Sequence, residues 1–132
     1  MPAPWKVLLV DDQDIFVRSV ETLLDGSPDV EVVGHAWNGE VALELVAQLR
    51  PDVVLMDVDM PVMDGVEATR RLSAEFPDVR VLVLSGLHEP ERIDAALAAG
   101  AVGALTKMEI ADALVAAIGA AARGDALSRE AS

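Results

Sequence analysis

The sequence predicts an α/β fold in which one parallel sheet is covered by helices on both faces. Short apolar runs alternate along the chain with longer segments in which apolar residues recur every three or four positions. Such runs are typical of strands buried on both faces, and the longer segments are typical of amphipathic helices. Because strands that alternate with helices form parallel sheets through right-handed crossovers, we expect five β-α units in a single doubly wound domain.

Length and composition set the class of protein. The 132 residues are 52% apolar, which is enough for one well-buried core, and we expect a domain over residues 5–123 and a linker or disordered tail over residues 124–132. The 10 basic and 23 acidic residues give a net charge of −13, which argues against direct binding of this domain to DNA. Cysteine is absent, and neither a membrane span nor a signal peptide is evident, so a cytoplasmic protein with no membrane partner is expected.

The first two β-α units lie in residues 7–49. A strand predicted over Val7 to Val10 ends at the carboxylates of Asp11 and Asp12, and a helical pattern begins at Phe16. A second strand is predicted over Val30 to Ala36, and Asn38 is the expected N-cap of the helix that follows.

The third strand ends on a charged residue. Four consecutive apolar residues, 53–56, predict a strand buried on both faces, and Asp57 follows them directly. Burial of a carboxylate is costly, so Asp57 is expected at the open carboxyl edge of the sheet, where α/β proteins bind ligands. Residues 59–65 have turn chemistry and lead into the third helix, which ends before Pro77.

The last two units also end their strands on polar residues. A fourth strand is predicted over Val81 to Leu84 and is followed by Ser85, and Pro90 fits the first turn of the fourth helix. A weak strand signal at residues 103–106 precedes Lys107 and the last helix.

Parallel strands bring their carboxyl ends to one edge, so five polar side chains are expected to meet: those of Asp11, Asp12, Asp57, Ser85 and Lys107. Two carboxylates ~4 Å apart repel by about 4 kcal/mol at an effective dielectric constant of 20, so this cluster requires a cation. Oxygen ligands without cysteine or paired histidines favour Mg²⁺.

These groups are suited to phosphoryl transfer onto a carboxylate. Asp57 is the expected nucleophile, because it is central among these groups and stands on the most rigid strand. Mg²⁺ and the Lys107 ammonium would neutralise charge on the transferring phosphoryl group, and the Ser85 hydroxyl could donate a hydrogen bond to it.

Taken together, the motifs resemble the CheY-like receiver domain of two-component response regulators. The resemblance covers about residues 5–123, and it implies a flavodoxin-like sheet of order 2-1-3-4-5 that is phosphorylated on Asp57 by the phosphohistidine of a histidine kinase. The motifs that carry it are Asp11-Asp12, Asp57 followed by Met60-Pro61-x-Met63-Asp64-Gly65, Ser85-Gly86, and Gly100-Ala101-x-Gly103 before Lys107.

The same resemblance implies a ligand set for magnesium. Asp12, Asp57 and the main-chain carbonyl of Asp59 would bind Mg²⁺ directly, and Asp11 would bind it through water. Ser85 matches a position that contacts the phosphoryl group, as Lys107 also does.

The end of the chain resembles the last helix and linker of NarL/FixJ-type regulators, in which a helix-turn-helix DNA-binding domain follows. That output domain is absent from the sequence, so the resemblance implies a receiver excised from a longer regulator, with DNA contacted only through the missing part. The face formed by the fourth helix, fifth strand and fifth helix would change its partner affinity, and this face or neighbouring ones could support a homodimer.

Two positions depart from the family pattern. Ala104 stands where relatives have an aromatic switch residue, so a ring rotamer cannot be coupled to the Ser85 hydroxyl in the usual way. Leu87 is apolar where many relatives have a polar group, and Asp59 adds a carboxylate beside the site.

Two other functions are compatible with the residues. Asp57-Val58-Asp59 also looks like the Asp-x-Asp nucleophile motif of haloacid-dehalogenase-type phosphatases, but in that family the motif follows the first strand, whereas here Asp11-Asp12 come first. A pseudo-receiver that docks a partner without phosphorylation is the third hypothesis, and Ala104 favours it.

Overall fold

The computed structural model describes residues 3–58, 60, 63–86 and 90–124, in which five strands alternate with five helices. The strands are β1 (Trp5–Val10), β2 (Val30–Ala36), β3 (Val53–Asp57), β4 (Arg80–Ser85) and β5 (Gly103–Thr106). The helices are α1 (Asp14–Asp25), α2 (Gly39–Leu49), α3 (Gly65–Glu75), α4 (Pro90–Ala99) and α5 (Ile110–Arg123).

The strands form one parallel sheet of order β2-β1-β3-β4-β5. Val10 pairs with Met56, Asp57 pairs with Leu84, and Ser85 pairs with Thr106. The carboxyl ends of β1, β3, β4 and β5 therefore lie on the same edge. The predicted five-unit α/β fold and its strand order are confirmed.

The sheet separates two hydrophobic cores. Val54 and Met56 of β3 pack in the core beneath α2, α3 and α4, and Val53 and Leu55 pack in the core beneath α1 and α5. Successive side chains of a strand point to opposite faces, so an unbroken apolar run is required where both faces are covered. This explains why β3, the middle strand, has the apolar sequence from which it was predicted.

Side-chain caps fix the starts of two helices. The Asn38 carbonyl oxygen Oδ1 accepts a hydrogen bond of 2.9 Å from the Val41 amide, which confirms the predicted N-cap of α2. Asp64 caps α3 in the same way, since its Oδ1 accepts from the Glu67 amide at 3.0 Å. Asp64, predicted only as a turn residue, thus determines where the helix after β3 begins.

The C-terminal end of α5 is closed by Gly124, whose φ of +79° lies in the left-handed region that favours glycine. The tail predicted over residues 124–132 otherwise lies outside the described residues, so the domain boundaries stay a prediction. In the described part of the chain, no helix combines the length and the apolar character needed to cross a membrane.

Candidate functional site

Three aspartates from two strand ends form an acidic cluster at the carboxyl edge of the sheet. Asp11 and Asp12 follow β1, and Asp57 is the last residue of β3. Carboxylate oxygens from all three lie within 4.8 Å of one another. Asp11 and Asp57 are buried, whereas Asp12 is exposed. The structure thus brings together the carboxylates that the strand order was expected to collect, with Asp12 facing solvent.

Lys107 supplies the positive charge in this cluster. Its Nζ lies 2.9 Å from Asp11 Oδ2 and 3.7 Å from Asp57 Oδ2, and 16% of its side chain is exposed. The Lys107 amide donates to the Ser85 carbonyl at 2.7 Å, which ties the start of the β5–α5 loop to β4. Because burial of an unpaired carboxylate is costly, this ammonium stabilises Asp11 and Asp57 in the metal-free domain and is also available for chemistry.

Two residues at the start of α1 hold the lysine side chain, and the sequence did not point to either. The Lys107 Nζ donates to Gln13 Oε1 at 3.4 Å and lies 4.3 Å from the centre of the Phe16 ring. A cation over an aromatic face at this distance is attracted by the ring quadrupole. Phe16 was predicted only as the start of a helical pattern, and residues 91 positions apart in the chain carry no local signal of such a contact.

The main chain of Asp11 is fixed by β2. Its amide donates to the Ala36 carbonyl at 3.0 Å, and its own carbonyl accepts from His35 Nε2 at 3.0 Å, which requires the histidine proton on that nitrogen. The side chain is fixed too, because Asp11 Oδ1 accepts from the Gln13 amide at 2.8 Å. Asp11 is therefore held in place through both its main chain and its side chain, and its Oδ2 is the atom that faces Lys107.

Ser85 is fully buried at the end of β4. Its strand neighbour Leu84 pairs with Asp57, so Ser85 lies one residue beyond the phosphoacceptor candidate on the adjacent strand. Across the sheet, Ser85 pairs with Thr106 of β5, the residue directly before Lys107. The serine thus lies between the strands that carry Asp57 and Lys107, where the sequence predicted it.

The start of α3 lies directly against the end of β3. A Cβ added to Gly65 would stand 2.1 Å from the Asp57 carbonyl oxygen and 2.7 Å from the Val58 Cα, so α3 begins directly against the phosphoacceptor candidate. The Val58 amide donates to the Leu84 carbonyl at 3.1 Å, which ties the loop to β4. Asp59, whose carbonyl was predicted as a magnesium ligand, lies outside the described residues.

Ala104 stands on β5 at the position where the family resemblance implies an aromatic switch residue. It pairs with Val83 of β4, is half-buried, and packs against the core that contains Ala96 of α4. A methyl group here cannot exchange between a buried and an exposed rotamer. Leu87, the second departure from the family pattern, lies outside the described residues.

The chemistry of this edge follows from its charges. Three carboxylates outnumber the single ammonium, and oxygen ligands of this kind suit Mg²⁺, which takes few carboxylates and keeps water for a phosphate ligand. The donor set therefore fits a magnesium ion. The buried Asp57 carboxylate, with an ammonium beside it, is suited to attack an electrophile that carries negative charge.

Comparison with known proteins gives a consistent result. A family profile described as "Response regulator receiver domain" matches residues 7–119. Transcriptional regulatory protein DegU of Brevibacillus brevis is 44% identical over 122 residues, which are 92% of this chain and 51% of that protein. The crystal structure of a LuxR-family two-component response regulator from Aurantimonas sp. SI85-9A1 superposes with a TM-score of 0.89 at 30% identity, covering 95% of this chain and 89% of that one.

A different kind of relative shares the same region. A protein-glutamate methylesterase/protein-glutamine glutaminase of Nocardioides sp. is 49% identical over 84 residues, which are 64% of this chain but 23% of that protein. The chain spans about half the length of the transcriptional regulators that it matches over most of its own length. The similarity therefore concerns one domain that is found with more than one kind of partner domain.

Proposed function

Because the chain belongs to the response regulator receiver domain family of two-component systems, we propose that it accepts a phosphoryl group on Asp57 from the phosphohistidine of a histidine kinase. The observation that carries this proposal is the Lys107 ammonium, which bridges Asp11 and Asp57 in a cluster of three carboxylates. Phosphorylation would bias the domain between two conformations and so control an output.

In the transfer step, an Asp57 carboxylate oxygen forms the new bond to phosphorus while the phosphorus–nitrogen bond of the donor breaks. The departing imidazole takes a proton from solvent. Lys107 Nζ is 3.7 Å from Asp57 Oδ2, within a short side-chain movement of an oxygen of the bound phosphoryl group. Its charge stabilises the negative charge that this group brings to a partly desolvated site.

We propose that Asp11, Asp12, Asp57 and the Asp59 carbonyl hold Mg²⁺, with Asp11 acting through water. When bound, the ion supplies further neutralisation of the transferring group. Exposed Asp12 lies on the solvent side of the cluster, where an ion with water ligands would enter, and buried Asp11 remains paired with Lys107.

Ser85 is proposed to detect the modification. A serine hydroxyl can donate a hydrogen bond to a phosphoryl oxygen, and Ser85 follows directly the residue that pairs with Asp57. Because residue 104 of β5 is alanine, a change in the contacts of Ser85 cannot be relayed by an aromatic ring on that strand. The altered surface that we propose, formed by α4, β5 and α5, must therefore respond through another contact.

The phosphodonor needs a docking surface beside Asp57. Two large apolar side chains are exposed next to the cluster: Ile15 in the first turn of α1, with 83% of its surface exposed, and Met108 directly after Lys107, with 81% exposed. The Gln13–Lys107 hydrogen bond shows that the start of α1 and the β5–α5 loop are neighbours. We propose that a helical face of the kinase packs on these side chains while its phosphohistidine reaches Asp57.

The output is proposed to be transcriptional. DegU and LiaR are named transcriptional regulatory proteins, and the chain matches about half of each. A helix-turn-helix domain after residue 132 would contact DNA, and a homodimer through α4, β5 and α5 would place two such domains side by side.

Incubation with Mg²⁺ and acetyl phosphate tests the proposal. The wild-type domain should gain the mass of one phosphoryl group, and Asp57→Asn should gain none. Asp78→Asn, which removes an equal charge from the exposed α3–β4 turn, should be labelled like the wild type. Full labelling of Asp57→Asn would overturn the assignment.

A docking module that works without phosphorylation is the second candidate, and Ala104 is the observation that favours it. It predicts that beryllofluoride with Mg²⁺, which mimics a phosphoryl group, leaves the amide spectrum of the domain unchanged. The family match supports the receiver hypothesis over the phosphatase alternative, which would require multiple turnovers on phosphate esters.

A further inference from the structure

Arg92 joins α4 to the segment that follows the proposed phosphoacceptor. It lies in the first turn of α4, and its side chain is 38% exposed. The Nη2 group donates a hydrogen bond to the Val58 carbonyl, one residue after Asp57. The same nitrogen lies 3.7 Å from Asp64 Oδ2. One guanidinium thus contacts both ends of the loop between β3 and α3.

The Val58 carbonyl and the Asp64 carboxylate belong to rigid parts of the structure. Val58 is fully buried, and its amide is bonded to Leu84 of β4. The second oxygen of Asp64 accepts from the Glu67 amide and so caps α3. These bonds hold Val58 and the Asp64 side chain in place, so neither can shift by itself to keep its contact with Arg92. A movement of either end of the loop must therefore move Arg92 or break one of its contacts.

The start of α3 is also in direct contact with Asp57. Gly65, next to Asp64, packs against the Asp57 carbonyl with no room for a Cβ. A phosphoryl group on Asp57 adds negative charge and three acceptor oxygens at this point, and it acts on the loop backbone through charge and crowding. The path from Asp57 to α4 through Val58 and Arg92 requires no residue of β5.

We infer that Arg92 is a positioning residue that holds the loop after Asp57 and transmits the occupancy of Asp57 to α4, in place of an aromatic residue on β5. The inference rests on the proposed function, since it requires that Asp57 is the group that changes. Ala104 gives such a route a role, because a methyl group at its position cannot alternate between two rotamers.

Beryllofluoride with Mg²⁺, followed by amide NMR spectra, separates this route from the site itself. In the wild type, amides at Asp57 and Ser85 and amides of α4 such as Ile93 and Ala96 should all shift. In Arg92→Gln the amides at the site should still shift, while the shifts along α4 should fall by at least half. Arg92→Lys keeps the charge but cannot place one planar fork against both partners, and it should also lower the α4 response.

Arg71→Gln is the matched control. Arg71 on α3 is half-exposed and pairs with Glu67, so this variant also removes one cation and one ion pair, but it leaves the loop contacts in place. It should respond like the wild type along α4. Because Arg92 is partly exposed, its variants should remain folded, and the dispersion of their spectra without ligand checks this.

Each result has one meaning. Shifts along α4 of wild-type size in both Arg92 variants would overturn the inference while leaving Asp57 as the acceptor. An equal loss in Arg71→Gln would overturn it as well, because the effect would then follow from charge alone. No shift at Asp57 in the wild type would instead contradict the proposed function.

Discussion

Gly65 lies so close to Asp57 that no other residue fits at its position. A Cβ there would stand 2.1 Å from the Asp57 carbonyl oxygen, a backbone atom that cannot move aside without displacing the end of β3. The first turn of α3 therefore presses directly on the proposed phosphoacceptor. This contact, rather than a need for unusual φ, explains glycine at the position.

Gly65→Ala should consequently destabilise the domain by about 1–3 kcal/mol, the usual cost of forcing a methyl group into a packed site. It should also lower the rate of labelling by acetyl phosphate, because relief of the overlap must shift Asp57 or Val58. Urea unfolding and mass spectrometry measure the two effects. Gly86→Ala is the control, since a Cβ at Gly86 meets nothing within 4 Å, and its stability should stay within about 0.5 kcal/mol of wild type. Equal behaviour of the two variants would contradict the packing argument.

Removal of the Lys107 charge should have opposite effects on metal binding and on phosphorylation. In Lys107→Met, Mg²⁺ should bind several-fold more tightly, because an ammonium 2.9 Å from Asp11 no longer competes with it. Labelling by acetyl phosphate should slow by at least tenfold, because the charge that stabilises the transferring group is lost. Tryptophan fluorescence titrated with Mg²⁺ and a labelling time course measure these quantities.

Lys6→Met serves as its control. Lys6 is exposed on β1, and its amide bonds Asp52 rather than any residue of the cluster. It should change neither Mg²⁺ affinity nor labelling beyond the small effect of one distant charge. Weaker Mg²⁺ binding in Lys107→Met would show that the lysine organises the carboxylates rather than competing with the ion.

The ring of Phe16 should contribute to phosphorylation through Lys107. Phe16→Leu keeps most of the apolar volume but removes the aromatic face 4.3 Å from the ammonium. A cation–π contact is worth about 0.5–1 kcal/mol at such a site, so labelling should slow by roughly two- to fivefold. Phe76→Leu is the control, because it removes another phenylalanine ring that has a cation over it, that of Arg50 at 5.2 Å, far from the cluster in the α3–β4 connection. A change of similar size in Phe76→Leu would assign the effect to general packing.

Much of this structure could be predicted because the relevant signals are local. An apolar run interrupted by Asp57 fixed both β3 and its place at the carboxyl edge, and Asn38 marked the start of α2. The topology of a parallel sheet then brought Asp11 and Lys107 together without any side-chain detail. The strand order itself came from the family resemblance rather than from the apolar pattern.

The contacts that could not be predicted are those between side chains of distant elements. The Arg92–Val58 bond joins residues 34 positions apart and depends on how α4 packs beside the loop. The different burial of Asp11 and Asp12 also has no sequence signal, because two adjacent aspartates after a strand look equivalent. The pleat at the end of β1 and the nearby Lys107 ammonium decide which of the two aspartates points inward.

Because Asp12 is exposed whereas Asp11 is buried, removal of the Asp12 charge separates the effect on metal binding from the effect on the stability of the domain. Asp12→Asn should stabilise the metal-free domain by about 1 kcal/mol, because it relieves repulsion from Asp11 and Asp57 within 4.8 Å and leaves the Lys107 pair intact. It should lower Mg²⁺ affinity by roughly tenfold, so that Mg²⁺ stabilises the variant less than the wild type. Asp14→Asn removes the same charge from the first turn of α1, where a carboxylate favours the helix dipole, and should destabilise slightly without changing the response to Mg²⁺. Urea unfolding with and without Mg²⁺ measures both quantities. If Asp12→Asn behaved like Asp14→Asn, the exposed Asp12 carboxylate would not belong to a metal site, and the proposed ligand set would have to be revised without it.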